Sequence, residues 1–160
     1  MVPALPTRSG RCGLATVVLL ATAGLAAARI VGPDDSPADQ ARVVLAGIAA
    51  AFEQGDYEAL AAVLHPDGVR IGLSPEFERT NELTPAQAYY YFKNLFQVRR
   101  TVRFEVQKRQ VTAEGRLLVV AAWQCERTDS GRAEARRLLI TLVHGAADWS
   151  VTEITDLRGG

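Results

Sequence analysis

Residues 49–73 read AAAFEQGDYEALAAVLHPDGVRIGL, and within them one helix ends, a second begins and ends, and a strand starts. Gly55 can enter the left-handed region that closes a helix, and Asp56 sets a carboxylate beside the free amides of the next one. The second helix carries Tyr57, Leu60, Ala61 and Leu64 inward. Pro66 ends it, because the residue before a proline is pushed out of helical geometry. Val69, Ile71 and Leu73 then alternate with Arg70 and Gly72, the two-residue period of a strand with one buried face.

Upstream, Ser36-Pro37-Ala38-Asp39 supplies a helix start: a capping hydroxyl, a proline in the first turn and an early acid. Ala41, Val44, Leu45, Ile48, Ala51 and Phe52 follow at three- and four-residue steps, one buried stripe. Downstream, SPEFERTNEL (74–83) keeps neither period and reads as a loop or irregular edge. Thr84-Pro85-Ala86-Gln87 is a capping box, so a third helix runs from Pro85 to about Phe96. The remainder is four strands in succession. Val102, Phe104 and Val106 alternate in the first, and Leu117 to Arg127, Arg136 to Val143 and Trp149 to Leu157 follow across short turns. Short turns imply an antiparallel meander. The expected class is therefore α+β: three N-terminal helices packed on a curved four-stranded antiparallel sheet, with one short strand added. Leu117 to Ala122 is apolar on both faces and needs a cover on each side. Helices supply one, and a homodimer partner is the simplest second cover.

Residues 1–28 are set apart from this fold. Arg8 and Arg11 precede an apolar run from Gly13 to Ala28 that closes on small residues, the pattern of a secretory signal peptide with Arg29 as the mature start. The run is shorter than the roughly 20 residues of a membrane span, and an uncleaved anchor is the alternative. Export to the periplasm, the cell envelope or the medium follows, with no membrane span once the leader is removed. Residues 29–35 form a short lead-in and 36–158 a single domain. Of 18 basic residues the leader takes two, leaving a slight acidic excess over the 18 acids and no electrostatic footprint for nucleic acid. Arg99, Arg100, Arg103, Lys108 and Arg109, with Arg136 and Arg137 later, are interrupted by Glu105 and Glu134 and read as a solvated sheet face. Cys12 falls in the leader, so Cys125 stands alone and no intramolecular disulfide is expected. Two distant histidines and one thiol give no metal-ligand spacing, and neither metal nor cofactor is expected.

The order of elements, with the Gly55-Asp56 junction and Leu64-His65-Pro66-Asp67 after it, resembles the nuclear-transport-factor-2-like superfamily over roughly Ser36 to Leu157. The resemblance implies a cone-shaped sheet around a long helix, enclosing a pocket. It leaves function open, since one fold hosts unrelated activities. Ketosteroid isomerase, a member of that superfamily, needs a carboxylate base, a tyrosine and a protonated acid. Alignment on Gly55-Asp56 puts Ile48 at the tyrosine and Gly72 at the base, and alignment on His144-Gly145 puts Leu139 at the second donor. All three roles are vacant.

Several residues remain as candidates. Trp123 and Cys125 share one strand face and line either a pocket or the core. Glu153 shares a face with Trp149 and Val151 and would be an inward carboxylate, unless a bulge near Ile154 turns it outward. Tyr89 and Tyr91 flank the stripe Ala88, Phe92, Leu95 and Phe96 of the third helix, where a phenol can pack and donate together. His65 and Asp67 either close the second helix or form an acid/base pair. The expected function is an exported, non-catalytic domain binding a small apolar ligand through Trp123, Cys125, Tyr89, Tyr91 and Trp149, or binding a protein partner. The alternative is an isomerase, dehydratase or hydrolase using Glu153, Tyr91 or His65.

Overall fold

The computed structural model describes residues 36–73, 81–146 and 148–157. The leader 1–28, the lead-in 29–35 and the end of the chain therefore lie outside the described residues. Helix α1 (Pro37–Gln54) starts on Ser36, whose hydroxyl accepts from the Asp39 amide, and stops at Gly55, which takes φ 67°. A side chain there would be strained in the left-handed region, although it would meet Phe96 only at ordinary contact distance. Asp56 caps α2 (Tyr57–Ala62) by accepting from the Glu58 and Ala59 amides. Thr84 and Gln87 form the reciprocal capping box of α3 (Pro85–Val98).

Helix α2 stops at Ala62, four residues before Pro66. The sheet ends it: the Val151 amide donates to Val63 O at 2.8 Å and the His65 amide donates to Val151 O at 2.9 Å. Those bonds draw Leu64 into a bridge with Val151. Helical geometry loses to pairing with the sheet, and the proline merely follows.

The strands are β1 (Val69–Gly72), β2 (Asn81–Leu83), β3 (Arg99–Val111), β4 (Leu117–Arg127), β5 (Ala133–His144) and β6 (Trp149–Asp156). They form one sheet in the order β2-β1-β6-β5-β4-β3. The expected antiparallel meander is β3 to β6, and β1 joins it by a parallel pairing with β6. Asn81–Leu83, expected as part of a loop or irregular edge, is instead a sixth strand antiparallel to β1. Three residues carry too little pattern to announce themselves; the β1 edge gives them a partner.

Register shifts mark β-bulges in β3, between Thr101 and Arg103 and between Val106 and Lys108, and one in β6 opposite Thr141 and Leu142. Each extra residue bends and twists its strand, which curls the sheet around α1. The middle of the concave side is solid. Phe52 stacks on Phe104 at 4.5 Å and meets Trp123, Phe92 and Phe96 edge-on. Phe52, Phe92 and Trp123 are wholly buried, and Ile48, Leu60, Ile71 and Ile140 complete the packing. Among the described residues no helix is long and apolar enough to cross a membrane.

Candidate functional site

Strand parity decides what faces α1. Trp123 pairs with Arg136, Cys125 with Glu134 and Ala121 with Leu138, so these side chains share the concave face. That face has two ends, about 26 Å apart along β4 from Leu117 to Cys125 at roughly 3.3 Å per residue.

At the Cys125 end, two arginines that the sequence reading assigned to a solvated face turn inward. Arg136 keeps only 10% of its side chain exposed, and Arg99 only 6%. Arg136 donates to Glu134 at 2.8 Å, to Asp156 at 3.1 Å and to the Leu73 carbonyl at 2.7 Å. Arg99 reaches the same Glu134 oxygen at 3.4 Å. The four charges cancel in pairs. The Arg136 guanidinium, seconded by Arg99, holds the Glu134 carboxyl below its ordinary range despite partial burial. Burial, reinforced by Glu134, pushes the Cys125 thiol up, so it stays protonated and unreactive at neutral pH. Burial also raises the Tyr91 phenol, against a backbone hydrogen bond from Leu73 and the two guanidinium groups. Trp123 donates to Thr101 at 2.9 Å and fills its own space.

At the other end, the first half of α1 stands off the β3–β4 hairpin and leaves a hollow of about 630 Å³. Its walls are Pro37, Ala38, Ala41, Leu45, Leu117, Val111 and Trp149, with Arg42, Arg109 and His144 also lining it. Trp149 is held by donating its indole N–H to Pro37 O at 2.8 Å, and the His144 ring meets it edge-on at 5.1 Å. His144 Nε2 lies 3.3 Å from the Gln40 side-chain oxygen.

The candidates from sequence are thus distributed rather than gathered. Tyr91, Trp123 and Cys125 come together at the charged end, whereas Trp149 lies at the hollow. Tyr89 packs edge-on against Tyr57 and Tyr90 near the surface, and its hydroxyl lies 3.5 Å from Glu58. Glu153 is turned outward by the β6 bulge, which pairs Glu153 with Thr141 and returns Ile154 to the core. It accepts from Thr141 at 3.3 Å and lies 3.9 Å from Arg70. His65 serves the turn after α2: its Nδ1 accepts from the Asp67 amide at 3.3 Å and its carbonyl accepts from the Gly68 amide. Glu153, Tyr91 and His65 therefore do not converge as an acid/base set. Among the described residues no cluster of three or more histidine, cysteine or carboxylate side chains could hold a metal ion.

Glu134, Arg136, Arg99 and Asp156 were missed as inward groups. The signal for two of them was present, since Glu134 and Arg136 share parity with Leu138 and Ile140.

The SnoaL-like domain family matches residues 42–153. No curated protein matches the chain by sequence. Among solved structures, a ketosteroid isomerase-like protein from Erwinia carotovora is similar with a TM-score of 0.59 at 14% identity, over 76% of this chain and 96% of that one. A DUF4783 family protein from Bacteroides ovatus gives 0.57 at 15% identity, over 69% and 91%. A hypothetical protein of ketosteroid isomerase-like fold from Catenulispora acidiphila, in complex with trimethylamine, gives 0.57 at 14% identity, over 72% and 85%. At such identities the structures speak for the fold alone, whereas the family match spans most of the sequence. With its three helices and curled sheet, the chain belongs to the SnoaL-like domain family and has the nuclear-transport-factor-2-like fold.

Proposed function

We propose that this SnoaL-like domain is a binding protein rather than a catalyst, and that it takes the apolar body of a small molecule into the hollow between α1 and the β3–β4 hairpin. The observation that carries the reading is the hollow itself: its volume of about 630 Å³ lies within the range of small-molecule sites, and its walls are mostly apolar. At the opposite end, the inward carboxylates are occupied by guanidinium groups. A carboxylate held below its ordinary range is a weak general base. The aromatic packing of Phe52, Phe92, Phe104 and Trp123 leaves the centre to the protein's own side chains.

The reading includes export, on Arg8 and Arg11 followed by the apolar run to Ala28. It also includes a homodimer through the sheet's outer face, where Leu118, Val120, Leu139 and Val143 are only partly covered. Native mass spectrometry of protein purified from its own host tests all three elements. The expected species is a dimer that begins at Arg29 and retains a small molecule. Ala38→Phe, at an exposed position on the rim of the hollow, should lose that molecule without unfolding. Retention by Ala38→Phe, or a ligand-free wild type that binds no apolar probe, would overturn the binding reading. A monomer would overturn the dimer, and an intact Met1 on the exported protein would overturn cleavage.

A further inference from the structure

We propose that the ligand of the hollow is an amphipathic anion, an apolar chain or ring system ending in a carboxylate or comparable acidic head. This rests on the binding reading above and adds the chemistry of the head group. Among the described residues the lining contains two guanidinium groups, Arg42 and Arg109, and the imidazole of His144, but no acidic side chain. Asp39 engages one nitrogen of Arg42 at 3.2 Å, on a pair whose members are both substantially exposed. Arg109 has no ion-pair partner among the described residues. It stands in β3 opposite Val119, so the strand that closes one wall of the hollow also presents a cation there. A fork of N–H donors beside an apolar wall favours a planar, doubly accepting anion over a neutral head. The same charge disfavours a cationic head.

The apolar part has a natural seat. Ala41 and Leu45 come from α1 and Leu117 from β4, and the Trp149 ring is fixed by its bond to Pro37 O. Arg42 lies one residue beyond Ala41 on α1, so a chain lying against Ala41 and Leu45 keeps its head close to the positive rim.

Isothermal titration calorimetry of the folded domain with three probes of equal chain length separates the possibilities: dodecanoate, dodecan-1-ol and dodecyltrimethylammonium, each below its micelle-forming concentration. Dodecanoate should bind roughly tenfold more tightly than the alcohol, a difference of about 1.4 kcal/mol. The cationic probe should bind least. Arg109→Glu should weaken dodecanoate about tenfold and leave the alcohol unchanged. Raised salt should weaken dodecanoate alone, since a charge at a partly open rim is screened. As a check on location, dodecanoate should shift the Trp149 indole N–H resonance in a nitrogen–proton correlation spectrum while that of Trp123 stays in place. If alcohol and carboxylate bind equally, or if Arg109→Glu changes nothing, the anionic head is wrong while the hollow stands as a binding site. If none of the probes binds, both readings fall. Dodecanoate bound without perturbing Trp149 would overturn the assignment to this hollow.

Discussion

The two ends of the concave face are built from the same strands and solve the same problem in opposite ways. Both must finish a curled sheet where the helices no longer cover it. At the Cys125 end the sheet finishes with Arg136 clasped by Glu134, Asp156 and Leu73 O, so polar groups satisfy one another. At the Leu117 end it finishes with Leu117, Trp149 and Leu45 around open space. One end gains order by pairing its charges, and the other keeps an apolar surface partly unfilled. Binding is the natural use of the second arrangement, because displacing water from apolar walls stabilises a complex at roughly 25 cal/mol per Å² of apolar area covered.

The largest test of this contrast is the divider between the ends. Phe52→Ala removes the ring on which Phe104 stacks and should cost about 3–5 kcal/mol, read from urea unfolding. If the loss is below 1 kcal/mol, the centre is loosely packed and the two ends are not separate regions. Next is Arg136→Leu, which leaves Glu134 and Asp156 side by side without their shared cation. Breaking a fully buried pair costs about 3–5 kcal/mol, and partial exposure of the two carboxylates lowers the expectation to roughly 2–3 kcal/mol. Binding at the hollow should be unaffected. Altered dodecanoate affinity in Arg136→Leu would show that the ends are coupled.

A third, smaller effect follows from the depressed Glu134 pKa. Because its folded-state value lies below the unfolded one, its contribution is complete above about pH 4.5, the ordinary value, and is lost as pH falls through the folded-state value. Glu134→Gln should therefore flatten the acid limb of stability below that pH. A wild-type acid limb that Glu134→Gln leaves unchanged would mean that another carboxylate governs it. The smallest expected effect is Trp149→Phe, which keeps an aromatic wall but removes the bond to Pro37 O, at a cost of about 1 kcal/mol. Its stability loss should be well below that of Phe52→Ala, and near-equality would contradict the picture of a loosely filled end.

Much of the architecture was legible because its signals are local. Ser36, Gly55, Asp56 and Thr84 act on the amides next to them, and each does in the structure what its sequence context requires. The end of α2 was read less well, since backbone bonds to Val151, distant in sequence, stop it before Pro66. The charged end was misread for a different reason. Arg99 and Arg136 belong to a run rich in arginine, and charge density suggested solvent, yet Arg136 stands two residues before Leu138 on the face that enters the core. Strand parity was the stronger evidence there. Glu153 and Asp156 were beyond parity altogether, because a bulge in β6 changes which residues look inward, and nothing in the sequence fixes whether Thr152 is the residue doubled. The hollow was legible only in part: Trp149 was a candidate, but the distance of α1 from the hairpin is a property of the assembled layers.

That bulge has a consequence for how variation can enter β6. Up to Val151 the odd-numbered residues look toward α1; after Thr152 the even-numbered ones do, so Ile154 and Asp156 arrive inside by virtue of a single supernumerary position. Deleting Thr152 would remove the doubled position and leave a regular ladder, with Glu153 following Val151 directly and still opposite Thr141. Ile154 and Asp156 would keep their partners and their faces, and the local bend alone would be lost. A length change is thus absorbed at this one position, whereas removal of a paired residue after it, such as Thr155, would exchange the face of the next and take Asp156 from Arg136.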